Sequence, residues 1–397
     1  MKILVINAGS SSLKYQLFNM ENGSVLAKGN CERIGAGGTV THKRDGLETY
    51  SAEVDLPTHE EALSLVLELL VSEKYGVISS IEEIDAVGHR IAHGGEKYKK
   101  STLIDDEVIA YLETIVPINP LHGPPAIKGI KACKRLMSKT VQVGVFDTSF
   151  YSQMEDFRTI YAIPYEFYTE HKIRRYGFHG TSHRYVAAKA AEQLGKPLNE
   201  LKIVTCHLGN GSSITAVDGG IAIDTSMGFT PQEGVPMGTR SGTIDPTVIP
   251  YIMKLKNLNA SEVEDLINKQ SGLLGVSGLS NDARNVSEAA KQGNPRAQLA
   301  IKMLANSIKK YIGSYIAEMN GIDVLVFTAG IGENDDEMRS MVCSNMDVFD
   351  IKIDEEINSN IPRGSGADIT AKGARVKTLV IPTNEEYMIA QDTAKFC

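Results

Sequence analysis

Three segments of the chain join glycine to serine or asparagine directly after an apolar run. They are Asn7-Ala8-Gly9-Ser10-Ser11-Ser12, His207-Leu208-Gly209-Asn210-Gly211-Ser212 and Ala329-Gly330-Ile331-Gly332-Glu333-Asn334. Glycine lets backbone N–H groups approach an anion closely. Successive N–H groups, or a helix N-terminus, then present the positive end of aligned dipoles. One such segment is an ordinary turn; three in one chain point to a bound nucleotide. No G-x-x-x-x-G-K-[ST] loop occurs, nor any G-x-G-x-x-G, so a dinucleotide fold loses support.

Charged residues lie near these turns. Lys14 falls two residues after Ser12, and on a strand both side chains share a face. Lys14 then reaches a terminal phosphate, or it is a solvated lysine on a half-exposed strand. Arg90, in Gly88-His89-Arg90-Ile91, follows an expected strand over 84–87. Arg240 lies in Met237-Gly238-Thr239-Arg240-Ser241-Gly242. The guanidinium fork binds carboxylate or phosphate, although a single arginine of this kind is commonly a structural ion pair. The run Val141–Phe146 ends in Asp147, a catalytic or metal-linked carboxylate or a helix N-cap. His179 stands beside Gly180 in Arg174-Arg175-Tyr176-Gly177-Phe178-His179-Gly180-Thr181-Ser182-His183. It is placed to donate to a transferring phosphoryl group, or it is a satisfied core histidine. No His/Asp/Glu set has zinc-ligand spacing.

The elements that must hold these groups alternate between strand-like and helix-like, which predicts an α/β protein. Strands are expected at 2–6, 12–18 and 24–29, with a hairpin turn at Glu21-Asn22-Gly23. The same layout returns about 200 residues later, with strands at 202–206, 213–217 and 221–225. Gly9 aligns with Gly209 and Ser12 with Ser212, which indicates an internal duplication with a cleft between its halves. Helices are expected at 57–71, 182–195 and 296–319. A strand at 324–328 leads into a glycine turn at 329–334 and a helix at 335–343.

Composition narrows the setting. The 397 residues suggest two or three domains. With 42% hydrophobic and 23% charged residues, a disordered chain is excluded. The net charge of −8, with no basic cluster, argues against a nucleic-acid or anionic-membrane surface. No apolar stretch reaches the ~18–20 residues that span a bilayer, and the N-terminus lacks the pattern of a signal peptide. Cys31, Cys133, Cys206, Cys343 and Cys397 are dispersed, as expected of thiols in a reducing cytoplasm.

Asn7-Ala8-Gly9-Ser10-Ser11-Ser12-Leu13-Lys14 and Arg174–His183 resemble the two signature segments of the acetate kinases. The segments 88–90, 207–211, 237–242 and 327–334 fit the same family in the same order, so the resemblance spans essentially the whole chain. It implies the duplicated α/β fold shared by sugar kinases, actin and heat-shock ATPases, a ribonuclease H-like plan of two domains around a cleft. Residues 1–150, completed by 383–397, would form the N-terminal domain. Residues 151–382 would form the nucleotide-binding and dimerisation domain. The implied activity is ATP-dependent, reversible phosphorylation of acetate to acetyl phosphate by direct in-line transfer. The implied setting is a cytoplasmic homodimer with no nucleic-acid or membrane partner.

By matching motif, Asn7 and Glu385 would hold Mg²⁺, or Mn²⁺ in its place, with Glu386 a rival to Glu385. ATP or ADP would be bound by Lys14, Ser10, Ser12, the turn His207, Leu208, Gly209, Asn210 and Gly211, the segment Asp282, Ala283 and Arg284, and the turn Gly330, Ile331, Gly332, Glu333 and Asn334. Arg90 would bind acetate, and His179 and Arg240 would stabilise the transition state. Asp147 is the family's proton-handling residue. A carboxylate substrate is already ionised at neutral pH, so Asp147 is expected instead to orient an arginine or a metal-bound water. Ala92, Leu121, Phe178 and Pro231 would surround the acetate methyl group. Ala92 replaces the family's usual valine, so appreciable propionate use is expected. Ala283 replaces a larger apolar residue near the nucleotide. The rival readings are a propionate or butyrate kinase of the same fold, and a nucleotide-switch or chaperone-like ATPase.

Overall fold

The computed structural model describes residues 1–397. The chain divides into two compact units, Met1–Ser152 with Asn384–Cys397, and Gln153–Thr383.

In the first unit eight strands form one sheet: β1 (Lys2–Ala8), β2 (Ser12–Asn19), β3 (Ser24–Glu32), β4 (Thr39–Arg44), β5 (Tyr50–Glu53), β6 (Ala86–Ile91), β7 (Thr102–Leu103) and β8 (Val141–Phe146), in the order β5-β4-β3-β2-β1-β6-β8-β7. The apolar runs of β1, β6 and β8 lie parallel at its centre. Strands covered on both faces read as continuous apolar segments, because no face is left for polar side chains. Helix His59–Val71 buries Ala62, Leu63, Val66 and Leu70. Its N-cap Thr58 accepts from the Glu60 amide. Its first residue, His59, places Nε2 2.7 Å from the Gly9 carbonyl, tying the helix to the first glycine turn.

The strand expected at 84–87 lies at Ala86–Ile91, so Arg90 is within β6. Pairing with β1 on one side and β8 on the other carries the strand through Gly88. A Cβ on Gly88 would sit 2.4 Å from Thr393 Oγ1 and 2.8 Å from Ile389 Cγ2. Glycine is therefore what lets the last helix, Glu385–Ala394, pack against this strand.

The second unit carries β9 (Lys202–Leu208), β10 (Ser212–Asp218), β11 (Ile221–Thr225), β12 (Val324–Thr328), β13 (Ala367–Asp368) and β14 (Lys377–Val380), in the order β11-β10-β9-β12-β14-β13. Helix Pro295–Glu318 buries Ala300, Leu304, Ile308 and Ile312 in the core that contains Leu208, Leu325 and Phe327.

The two sheets repeat one plan. The orders β3-β2-β1-β6-β8 and β11-β10-β9-β12-β14 are each an antiparallel meander followed by two parallel strands. The residue alignment differs from expectation by one position. Asn7 pairs with Lys14 in the first unit, and His207 with Ser213 in the second. Ala8 pairs with Leu13, whereas Leu208 pairs with Ser212. The second turn is thus one residue shorter, closed by Gly209 N–H to Gly211 O at 3.1 Å where the first uses Gly9 N–H to Ser12 O at 2.8 Å. Ser212 stands opposite to where Ser12 was aligned: it takes the place of Leu13, and Ser213 takes the place of Lys14.

Two boundaries also differ. The helix expected from Ser182 begins at Gly180, capped at its far end by Gly195 in the left-handed region. The segment 329–334 is a short helix, Ala329–Asn334. Ala329 itself takes φ +63°, so it makes the turn and leaves both glycines free to be helical.

Candidate active site

In open α/β sheets ligands collect outside the carboxyl ends of the parallel strands. In the first unit those ends carry Asn7 on β1, Arg90 on β6 and Asp147 directly after β8. Lys14, exposed at the start of β2, lies beside Asn7 by the strand register. Arg90 places Nη2 2.8 Å and Nε 3.2 Å from Asp147 Oδ2. Asp147 is 2% exposed as a side chain. It does not cap a helix; it is the counter-ion of Arg90, and it is the chief cause that keeps the guanidinium charged.

Glu385 opens the last helix, with Oε1 4.0 Å from Arg90 Nη2. Burial pushes its carboxyl up to about 7; Asp147 and Glu386 push the same way, and Arg90 and Lys14 oppose them. Glu385 Oε1 is buried without a hydrogen bond. An orphaned carboxylate oxygen at the start of a helix that packs against β1, whose end bears the Asn7 amide, fits a hard divalent cation. No group of three or more His, Cys, Asp or Glu side chains is placed to hold a metal ion by itself. This donor set suits Mg²⁺, which keeps water and takes one or two carboxylates together with substrate phosphates.

In the second unit two donors meet at the glycine turn after β9. A Cβ built on Gly211 would lie 3.2 Å from His179 Cε1, 3.4 Å from its Nε2 and 3.3 Å from Arg240 Nη1. His179 takes φ +57° immediately before helix Gly180–Leu194. A left-handed non-glycine residue is strained, and such strain gathers at functional sites. Arg240 Nη1 donates to the Pro231 carbonyl at 3.2 Å and contacts Met237 Sδ at 3.7 Å. It pairs with no carboxylate, and burial lowers its pKa. A half-buried guanidinium without a counter-charge is completed by an anion. Gly211→Ala is expected to lower kcat about 10–100-fold at unchanged Tm, because the new methyl displaces both donors from their aim; steady-state kinetics with a thermal melt checks it.

Residues whose part the sequence did not disclose hold these donors. Ser213 Oγ lies 3.2 Å from His179 Nδ1 and 2.6 Å from His183 Nε2. The His179 and His207 rings meet at a tilt with centroids 4.3 Å apart. His207 Nδ1 lies 2.8 Å from Ser182 Oγ, which lies 2.7 Å from Thr383 Oγ1. Arg175 donates to the carbonyls of Thr225, Ser226 and Met227 and pairs with Glu233 at 2.7 Å. It thereby fixes the segment that carries Pro231. Ser182 and His183 stood in the sequence beside His179, but nothing in that string showed which side chains meet.

A cavity of about 750 Å³ opens in the same unit. Gly209, Asn210, Asp282, Ala283, Arg284, Gly330, Ile331, Glu333 and Asn334 line it, all of them expected nucleotide-binding residues. Asp282 caps helix Ala283–Lys291 and pairs with the exposed Arg284. Glu333 accepts from the amides of Ala329 at 2.8 Å and Thr383 at 3.0 Å, so its carboxylate braces the wall. Four expected residues of this unit, His207, Leu208, Gly211 and Gly332, do not line it. Leu208 is fully buried in the hydrophobic core. Gly332 packs on Phe327 and Cys206, where a Cβ would meet backbone at 3.3 Å. Strand alternation points Leu208 into the core and leaves only the turn for the cavity.

The expected substrate-pocket residues are divided. Ala92 is half-buried just beyond β6, and Leu121 is 56% exposed, both in the first unit. In the second, Phe178 is buried with Met227 and Met237, and Pro231 is half-buried. Ser10 is exposed and Ser12 half-buried in the first turn.

The family model described as the Acetokinase family matches residues 2–391. The acetate kinase of Caldanaerobacter subterraneus subsp. tengcongensis is 55% identical over 397 residues, covering 100% of this chain and 98% of its own length. That of Thermoanaerobacter pseudethanolicus is 54% identical over the same span. Among solved structures, acetate kinase from Porphyromonas gingivalis matches with a TM-score of 0.95 at 48% identity, covering 99% of each chain. A propionate kinase from Francisella tularensis matches with a TM-score of 0.92 at 40% identity, again over 99% of each chain. With the model matched from end to end and relatives this similar over their full length, the chain belongs to the acetokinase family.

Proposed function

We propose that the protein transfers the γ-phosphoryl group of ATP to acetate, reversibly, giving acetyl phosphate and ADP. One observation carries this reading: the Gly209–Gly211 turn has the nucleotide-sized cavity at Gly209 and Asn210, and the His179–Arg240 donors at Gly211. A triphosphate seated in the cavity brings its terminal phosphate to those donors. Curated relatives at 54–55% identity are named acetate kinase, whereas the solved propionate kinase stands at 40%.

Phosphoryl transfer is mainly positioning and charge neutralisation around an in-line γ-phosphate. An acetate carboxylate oxygen forms the new P–O bond as the bond to the β-phosphate oxygen breaks. The carboxylate arrives ionised, so no base is needed. Arg90 binds acetate, and Asp147 holds the fork of Arg90 in place. Lys14 neutralises a terminal phosphate oxygen. Arg240 and His179 donate to the equatorial oxygens as charge spreads over them. Asn7 and Glu385 would hold Mg²⁺, or Mn²⁺, which neutralises phosphate charge when bound.

The test is hydroxamate trapping of the acyl phosphate from acetate, propionate and butyrate with ATP and Mg²⁺. No acetohydroxamate above background would overturn the reading. Ala92 leaves the acyl end two methyl groups smaller than valine would. A methylene is worth about 1–3 kcal/mol of discrimination, so propionate kcat/KM is expected within about 10–200-fold of that for acetate. A ratio of thousands would contradict it.

The partner is a second copy of the chain, in the cytoplasm. Helix Val248–Lys256 buries none of its residues and exposes Tyr251 at 66% and Leu255 at 65%. Phe157, Ile163, Tyr165 and Phe167 of the same unit are exposed as well. We read these exposed apolar side chains as the contact surface. Sedimentation equilibrium should give twice the 43.1 kDa chain mass, and Tyr251→Glu with Leu255→Glu should halve it. No helix is long and apolar enough to cross a membrane.

A further inference from the structure

Behind His179 runs a chain of buried hydroxyl and imidazole groups. Thr205 Oγ1 lies 2.6 Å from His183 Nδ1, and His183 Nε2 lies 2.6 Å from Ser213 Oγ. Ser213 Oγ in turn lies 3.2 Å from His179 Nδ1. Thr205, His183 and Ser213 are all wholly buried. Burial, reinforced by the nearby His207, drives the pKa of His183 well below its ordinary value, so this ring is neutral and bears one N–H.

A serine hydroxyl has one proton and stands here between two ring nitrogens. It donates to one and accepts from the other. That leaves two polarities for the chain. In the first, Thr205 donates to His183 Nδ1, His183 Nε2–H donates to Ser213, and Ser213 donates to His179 Nδ1. In the second every bond reverses, and the Thr205 proton must turn elsewhere. Its only other acceptor is the Thr215 carbonyl at 3.4 Å, near the outer limit of a hydrogen bond. That carbonyl already belongs to the antiparallel β9–β10 ladder, in which Thr205 and Thr215 are paired. The first polarity places all three protons in contacts of 3.2 Å or less, and a buried hydroxyl proton left unsatisfied is costly.

We propose that Ser213 and His183 are positioning residues that hold His179 as the neutral tautomer, with Nδ1 accepting and the proton on Nε2 at the Gly211 turn. His179 then donates to a phosphoryl oxygen without having to become an imidazolium. The role rests on the phosphoryl-transfer reading; the tautomer does not.

Two-bond ¹H–¹⁵N correlation spectra of the full chain carrying ¹⁵N-histidine test the tautomer directly, with His179→Gln and His183→Gln assigning the signals. Both His179 and His183 are expected to show the neutral Nε2–H pattern at pH 7.5. An Nδ1–H or imidazolium pattern at His179 in the unaltered chain overturns the proposal. Ser213→Ala is expected to lower kcat about tenfold, with KM for acetate and ATP within about twofold. Its His183 signal should switch to Nδ1–H as that ring turns its proton to Thr205. An unchanged His183 pattern with unchanged kcat also overturns the proposal. Should Ser213→Ala fail to fold, the spectrum of the unaltered chain still decides. Acetyl phosphate formation by that same sample separates failure of the tautomer from failure of the reaction assignment.

Discussion

Arg240→Ala is expected to lower kcat by about 10³-fold while leaving Tm unchanged or higher. An arginine that neutralises charge in a phosphoryl-transfer transition state is worth about 10³–10⁵ in rate. Little structural damage is expected from removing Arg240. It pairs with no carboxylate, and its ties are a carbonyl at 3.2 Å and a thioether at 3.7 Å. Burial works against its charge. Truncation therefore orphans no buried charge and relieves a desolvation penalty. The KM for ATP should change little, since Arg240 does not line the nucleotide cavity. Steady-state kinetics with a thermal melt checks both halves. A variant that lost activity only because it unfolded would contradict the assignment.

Arg90→Ala is expected to behave in the opposite way, losing both activity and stability. Arg90 spans Asp147 at 2.8 Å and approaches Glu385 at 4.0 Å. Its removal takes from the buried Asp147 and Glu385 carboxylates the positive charge that Arg90 supplies to both. Breaking one side of a buried pair costs about 3–5 kcal/mol, and the 24% exposure of Arg90 reduces this to about 2–4 kcal/mol. The kcat/KM for acetate should fall by at least about 10³-fold, with the loss of the acetate-binding fork. The double variant Arg90→Ala, Asp147→Asn should recover most of the stability and none of the activity. Asp147→Asn alone should lower kcat about 10–100-fold, because the fork of Arg90 loses its alignment. Its pH–rate profile should keep the shape of the unaltered enzyme. An acidic limb that vanished in Asp147→Asn would instead make Asp147 a general base.

Much of the machinery is legible along the chain because it is local. A continuous apolar run such as Val141–Phe146 reads as a covered strand, and the residue after it, Asp147, falls at the strand end by simple counting. The Asn22-Gly23 and Gly219-Gly220 turns follow from the positive φ that each adopts at glycine. The repeated meander is visible as well, since each half closes within about thirty residues. Local spacing is less secure where one residue matters. The turn after β9 is shorter than the turn after β1, so Ser213 rather than Ser212 faces the donors. Ala329 takes the left-handed region that a reader assigns to glycine, so a glycine turn becomes a helix.

The sequence by itself determined the strands, the turns and the inventory of groups that can hold phosphate, because these depend on side-chain alternation and backbone freedom over a few residues. Only the tertiary structure decided the pairings. Arg90 meets Asp147 across 57 residues, and His179 meets Ser213 across 34. Which arginine is neutralised by the protein and which is left for an anion depends on those long-range contacts. Charge and hydrogen bonding act over a few ångströms of space, and distance along the chain does not fix distance in the fold.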